Sequence, residues 1–510
     1  PVVIACTSGS AALNYAPAVA EAYYQHIPMI VVTADRPVEW IDRGEGQSIR
    51  QRNVFANFIQ GSYDLIQEAT DRDLIWHNEL LINQAIETSL GPVPGPVHVN
   101  IPFREGLYGV EVEPNVQPNT IHTLAVQSRL SGGKLAELAS LVRQQKKVLV
   151  ITGLLPVEEG LQAELENFAE NEQVLVLTET TSNLHSKRFV DAIDRLLVTM
   201  DEEEERQFRP DLLITLGGLI VSKKIKALLR CLSPKAHWHI APETPYMDTF
   251  QALTVNIPLP PADFFQQLNG FDLQQESSYQ QDWLARHRRN QVSHREFMAE
   301  EAPFCDLKAM EAISVQMPTG ANFQMGNSTV VRYVQLRGGD SAHTYHANRG
   351  TSGIDGVTST AAGAAHISQL PTTVVTGELA FLYDSNALWN NYLAPQLKII
   401  VINNGGGGIF RIIPGPRTTE AMAEYFETQH ELKIKPLADM YGLPHRLVND
   451  ETSLAEGLKW LYETEQAAIL EVCTPREVND QALRAYFAYL KSHKLDPLPD
   501  PKSSSEPTAL

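Results

Sequence analysis

Short apolar runs rich in Val, Ile and Leu alternate with longer stretches of helically spaced apolar residues along nearly the whole chain. Strands buried on both faces read as near-continuous apolar runs. Their alternation with helical segments predicts an α/β fold of doubly wound parallel sheets. Three blocks of this kind are visible. The first, residues 1–117, opens on a strand that runs into the turn Thr7-Ser8-Gly9-Ser10. A helix over about Ala11–Gln25, a strand at Met29–Thr33, a helix at Leu80–Leu90 and a strand at Val97–Ile101 follow. The second, residues 128–261, places strands at Val148–Thr152, Val174–Leu177, Leu212–Leu216 and His237–Ile240. The third, residues 303–475, places them at Thr344–His346, Thr373–Thr376, Lys398–Ile402 and Ala468–Val472. The polar stretch Phe271–Glu300 predicts a long connecting helix, and the acidic run Asp201–Glu205 a solvated loop or helix start. Residues 476–510 predict a helix at Glu477–Ser492, then a disordered tail from Leu495, where Pro, Ser and Asp leave nothing to pack.

Composition narrows the class. At 510 residues the chain is too long for one core. A net charge of −20 argues against non-specific binding to nucleic acid or anionic membranes, and an anionic substrate then needs a local cluster of cations. The longest apolar candidate for a membrane span, Leu212–Val221, is too short and holds two glycines. Cys6, Cys231, Cys305 and Cys473 are far apart, which fits a reducing, cytoplasmic setting. The chain begins within a strand and without a Met, so it is expected to open in mid-domain.

The segment Gly377–Phe410 carries the chemistry. Glu378 follows one strand, and Asn404 closes the next one 26 positions later, ahead of Gly405-Gly406-Gly407-Gly408. Ligands of parallel sheets sit beyond the carboxyl ends of strands. A carboxylate, an amide oxygen and a turn exposing backbone carbonyls there offer Mg²⁺ an oxygen set, with positions left for phosphate. Either signal alone is a common turn; the pair, at this spacing and in strand context, favours a metal–diphosphate site. His237 and His239, on one face of a strand, lack a nearby third zinc ligand. The glycines of Leu216–Ile220 do not match a dinucleotide motif.

Glu378 through Asn404 resembles the thiamine-diphosphate (ThDP) fingerprint, with Glu378 where that superfamily usually has Asp and a spacing about one residue shorter. Further motifs resemble one family within it, the 2-succinyl-5-enolpyruvyl-6-hydroxy-3-cyclohexene-1-carboxylate synthases of menaquinone biosynthesis. They are Thr33–Pro37, Asp42–Gln51, Gly95–Tyr108, Gly326–Arg332 and Asn348–Gly356. The resemblance implies three domains of the thiamine-diphosphate enzyme type: pyrimidine-binding over 1–117, central Rossmann-like over 128–261 and diphosphate-binding over 303–475. It implies decarboxylation of 2-oxoglutarate on ThDP and addition of the succinyl group to isochorismate. Arg332, Arg349 and Ser328 then grip a substrate carboxylate, with Arg36, Gln47 and Lys223 as further substrate-binding residues. Glu378 and Asn404 hold Mg²⁺ (or Mn²⁺) by side chains and Gly406 by its carbonyl. Gly377 and Leu379 flank that ligand beside the cofactor; Ile354 wedges beneath ThDP, and Ile409, Phe410 and Ile413 wall it. The activating glutamate of the family would lie upstream of Pro1, so no catalytic acid is assigned within the chain, and these 510 residues alone are expected to have little turnover. A homodimer or dimer of dimers is implied, because the superfamily holds its cofactor between subunits. The alternatives are another ThDP-dependent 2-oxo acid decarboxylase or carboligase, and a non-catalytic protein of the same fold.

Overall fold

The computed structural model describes residues 2–104, 117–124, 126, 128–243, 246–412, 415 and 418–493, the side chain of Ala423 excepted. Ile413, the tail from Leu495 and part of the Gly95–Tyr108 motif lie outside the described residues. The chain divides into two compact units. One is Pro1–Arg129 with Pro242–Pro245 and Arg349–Ser352; the other is Leu130–Ala241, Tyr246–Asn348 and Gly353–Leu510.

The first unit holds a four-stranded sheet: β1 (Val2–Cys6), β2 (Met29–Asp35), β3 (Gly61–Asp64) and β4 (Pro96–Pro102), in the order β1-β2-β4-β3. All its pairings are parallel, with Thr33 opposite Asn100. The helix expected over Ala11–Gln25 is two helices, Ser10–Leu13 and Ala16–Tyr24. Pro17 stands in the first turn of the second and has no N–H to give the carbonyl of Leu13, so one continuous helix would lose that bond. The helix expected to begin at Leu80 starts at Arg72, where Asp71 caps it by accepting from the N–H groups of Asp73 and Leu74.

The second unit holds two parallel sheets. One contains β5 (Val148–Thr152), β6 (Val174–Thr178), β7 (Phe189–Val190), β8 (Leu212–Leu216), β9 (Ala236–Ile240) and β10 (Val255–Ile257), in the order β10-β9-β8-β5-β6-β7. Every residue of β5, β6 and β8 is buried, as strands covered on both faces require. The other contains β11 (Asn322–Met325), β12 (Thr344–His346), β13 (Thr372–Gly377), β14 (Leu397–Asn403), β15 (His445–Val448) and β16 (Ala468–Cys473), in the order β12-β11-β13-β14-β16-β15. The two sheets share a unit because polar and apolar contacts both cross between them. The Gln335 carboxamide accepts from Thr180 N–H at 2.8 Å and donates to the Asp191 carbonyl at 2.9 Å, while Val198 and Val221 join the apolar core beneath β11 and β13. The polar connecting helix starts later than expected, at Tyr279, and runs to Glu296 and on through a π-helical turn over Phe297–Glu301. The acidic run is a helix start: Asp201 and Glu204 form a capping box ahead of Glu202–Phe208.

Candidate active site

Glu378, Asn404 and the glycine turn come together at the carboxyl ends of β13 and β14. The register sets Gly377 opposite Ile402, so the residue after one strand lies beside the end of the other. Glu378 is 2% exposed and its Oε1 accepts the Gly406 N–H at 2.6 Å. Leu379 follows, half-buried, in the short helix Glu378–Tyr383. The Asn404 amide donates to Asp306 Oδ2 at 2.8 Å, which turns its Oδ1 the other way; that oxygen is buried and has no hydrogen-bond partner among the described residues. A buried acceptor without a donor costs free energy unless something electropositive fills the gap. Burial raises the Glu378 carboxyl to about 7, with nearby Asp306 adding to the rise and the Gly406 N–H opposing it. An acid held out of water and an acceptor without a donor fit a cation between them.

The turn must be glycine at two places. Gly405 has φ 73°, and a Cβ on Gly406 would lie 2.9 Å from the Glu427 carbonyl. That carbonyl accepts from Gly407 N–H at 2.6 Å, and the Glu427 carboxylate, fully buried, pairs with Arg411 and accepts from Gln429. His430 Nε2 stands 3.3 Å from Glu378 Oε1. Asp306, Glu427 and His430 went unrecognised in the sequence. Asp306 is 98 positions from the amide it orients, and no local pattern links any of the three to the strand-end motif.

The other residues expected beside the cofactor lie in the same unit. Gly326 follows β11 and packs against β13 so closely that a Cβ would lie 3.0 Å from Thr376 Cα. Next to it, Asn327 Nδ2 donates to the carbonyls of Asn348 and Gly353, both at 2.7 Å, fastening the loop that carries Ile354. Ile354 is 41% exposed, so the core role that an isoleucine ordinarily has is excluded. Ile409 and Phe410 begin the short helix after the glycines, half-buried, with the Phe410 ring 5.6 Å from that of Phe426.

Among the residues of this unit expected to bind substrate, Ser328 holds φ 71° and ψ −113°, a conformation strained for a residue with a side chain and one that gathers at functional sites. Arg332, one turn on, donates from Nη1 to the Val221 carbonyl at 3.3 Å, and its Nε is buried without a partner among the described residues. Lys223 is exposed at the start of the helix Lys223–Leu232. Arg332 and Lys223 therefore meet the same short turn. In the first unit, Arg36 Nη2 donates to Gln47 Oε1 at 3.4 Å. Gly9, at φ 85°, lies against the Gln47 backbone, and its N–H donates to Gln51 Oε1 at 2.7 Å. Gln51 Nε2 bonds Asn100, which accepts from Thr33 and donates to Asp35. One buried polar network thus ties the Thr7–Ser10, Thr33–Pro37 and Asp42–Gln51 motifs together. Arg349 is buried in the same unit, and the two residues after it donate to the Glu21 carboxylate at 2.6–2.7 Å. Glu21 is another residue that the sequence did not mark. His237 and His239 both bond Thr215 Oγ1, at 2.8 and 2.9 Å, and serve the core of the sheet.

Comparison with known proteins agrees with this geometry. Residues 1–55 match the family described as thiamine pyrophosphate enzyme, N-terminal TPP binding domain. Residues 324–472 match thiamine pyrophosphate enzyme, C-terminal TPP binding domain, and span β11 to β16 with the glycine turn. The 2-succinyl-5-enolpyruvyl-6-hydroxy-3-cyclohexene-1-carboxylate synthase of Christiangramia forsetii is 42% identical over 96% of this chain and 88% of its own. The synthase of the same name from Flavobacterium johnsoniae is 42% identical over 96% and 87%, and that of Porphyromonas gingivalis 37% over 96% and 86%.

Proposed function

We propose a function from one premise: the chain belongs to the 2-succinyl-5-enolpyruvyl-6-hydroxy-3-cyclohexene-1-carboxylate synthase family. It is a ThDP-dependent transferase that decarboxylates 2-oxoglutarate and joins the succinyl carbon to isochorismate, with release of CO₂. The observation that carries this reading is 42% identity across 96% of the chain. Bound ThDP supplies the carbon that attacks the oxo group and takes up the electron pair left by CO₂. The chain's own residues do the rest. Glu378 and Asn404 Oδ1, with the Gly406 carbonyl, would hold Mg²⁺, which would neutralise phosphate charge there; Mn²⁺ would suit the same oxygen set. Gly377 and Leu379 line the cofactor beside that ligand. Ile354, free of the core, would support the cofactor and help to fix its reacting groups in proximity. Ile409, Phe410 and Ile413 keep water from the reacting carbon. Low polarity there favours loss of CO₂, because the departing carboxylate gives up its charge.

Both substrates are dicarboxylates, and the chain's net charge opposes them. Arg332 and Arg349, with Ser328, supply the charge and the bidentate geometry that orient a carboxylate. Arg36, Gln47 and Lys223 add further contacts. The protein acts as a homodimer or a dimer of dimers. The helix Arg72–Leu90 supports this, since Ile75, Ile82, Ile86 and Leu90 recur at helical spacing and all are exposed. The test follows 2-oxoglutarate consumption by the full-length protein, loaded with ThDP and Mg²⁺, with and without isochorismate. Consumption that depends on isochorismate supports the reading. Preference for pyruvate, or cofactor binding without turnover of either substrate, overturns it.

A further inference from the structure

Beneath the turn that carries Lys223 lies a pair of acids with no part in the site described so far. Glu179 follows β6 and is 1% exposed, and Asp194 sits in the first turn of the helix Ile193–Leu197. Both reach one residue. Ser222 N–H donates to Glu179 Oε1 at 3.0 Å, and Ser222 Oγ–H donates to Asp194 Oδ1 in a short bond. Ser222 Oγ also accepts the Ile225 N–H at 3.1 Å, capping the helix that starts at Lys223. The carbonyl just before it, Val221 O, is the acceptor for Arg332 Nη1. The turn at Val221 and Ser222, just ahead of Lys223, is therefore held by two carboxylates and a guanidinium.

A helix cap alone needs one hydroxyl or carboxylate, and Ser222 already provides it. Two further acids, taken out of water at a cost, are more than that cap requires. Burial raises the Asp194 carboxyl, and its Ser222 bond and the nearby cations Lys224, Arg332 and Lys226 offset the rise. The same arrangement serves Arg332, whose charge burial disfavours and Asp194 and Glu179 support. Negative charge beneath the turn offsets the cost of burying the guanidinium, while its Nε stays without a partner among the described residues. A long, flexible side chain fixed in this way loses less freedom when a carboxylate arrives.

We infer that Glu179 and Asp194 are positioning residues which, through Ser222 and Val221, lock Arg332 and Lys223 into one cationic wall and so set the preference for a dicarboxylate substrate. This rests on the reading that Arg332 grips a substrate carboxylate.

The experiment compares 2-oxoglutarate with 2-oxobutyrate, which lacks the distal carboxylate, in the full-length ThDP- and Mg²⁺-loaded protein with isochorismate as acceptor. Glu179→Gln and Asp194→Asn keep the size of each side chain and remove its charge. Each is expected to raise KM for 2-oxoglutarate about tenfold with kcat within about twofold, and to lower the discrimination against 2-oxobutyrate by a similar factor. Where either variant fails to fold, Ser222→Ala removes the hydroxyl that reaches Asp194, keeps the N–H that reaches Glu179, alters no buried charge, and is expected to lower the same ratio. A purely structural role would lower turnover of both substrates together, or change thermal stability alone, and that result overturns the inference. Arg332→Ala separates the two readings. If it leaves the preference for 2-oxoglutarate intact, the role given to Arg332 fails and the inference with it. If it removes the preference while the acid and Ser222 variants keep it, only the present inference fails.

Discussion

Replacing Glu378 with Gln should have opposite effects on the empty and the loaded protein. The isosteric amide keeps an oxygen for the Gly406 N–H but carries no charge. In the cation-free protein the Glu378 carboxyl is raised from 4.5 to about 7, first by burial and then by Asp306. A group whose pKa rises on folding gives its full contribution below its unfolded value and loses it as pH climbs through the folded one. At about 1.4 kcal/mol per decade, the ionised carboxylate costs the fold about 3 kcal/mol above pH 7, and the cost fades to nothing near pH 4.5. Glu378→Gln escapes that cost, so without cation it should be the more stable form by up to about 3 kcal/mol at pH 8 and nearly equal at pH 4.5. With ThDP and Mg²⁺ the order reverses, because only the carboxylate repays its burial by binding the metal. Denaturant unfolding of both forms across this pH range, with and without ThDP–Mg²⁺, reads both signs. The reasoning is refuted if the variant is the less stable form at pH 8 without cation, or if ThDP–Mg²⁺ stabilises both forms equally.

Three other substitutions probe the remaining parts of the site. Gly406→Ala places a Cβ 2.9 Å from the Glu427 carbonyl, so cofactor affinity by calorimetry should fall at least about tenfold as the turn shifts. Ile354→Ala should leave unfolding stability within about 0.5 kcal/mol, since the side chain is exposed, while kcat falls about tenfold or more; a large stability loss would show it to be core. Arg332→Lys keeps the charge and loses the fork, so KM for 2-oxoglutarate should rise about tenfold in steady-state assays, and an unchanged KM would remove Arg332 from carboxylate recognition.

Much of this architecture is legible because it is local. The runs at Val148–Thr152 and Leu212–Leu216 are strands because nothing but a doubly covered sheet buries five consecutive apolar side chains. The strands that escaped notice are short or polar: Gly61–Asp64, Phe189–Val190, Val255–Ile257 and His445–Val448 at sheet edges, and Asn322–Met325. Each takes its conformation from its neighbours in the sheet more than from its own residues. The site divides in the same way. Glu378, Asn404 and the glycines are linked by strand ends in sequence, so their spacing alone predicts a meeting. Asp306, His430, Glu427 and the Glu179–Asp194 pair reach their partners across helices or between sheets, and only the folded chain joins them. Ile354 is the intermediate case: its residue type suggests core, and only its exposure separates a ligand-facing isoleucine from a packed one.

The central claim is a specific bond between two substrates, and the identity of the product tests it most directly. The full-length protein, with ThDP and Mg²⁺, would be given isochorismate and uniformly ¹³C-labelled 2-oxoglutarate, and the product analysed by mass spectrometry. The account predicts one new compound in which the isochorismate ring carries all the labelled carbon except the carboxylate beside the oxo group, with labelled CO₂ in equal amount. Labelled CO₂ with isochorismate left unchanged would contradict it.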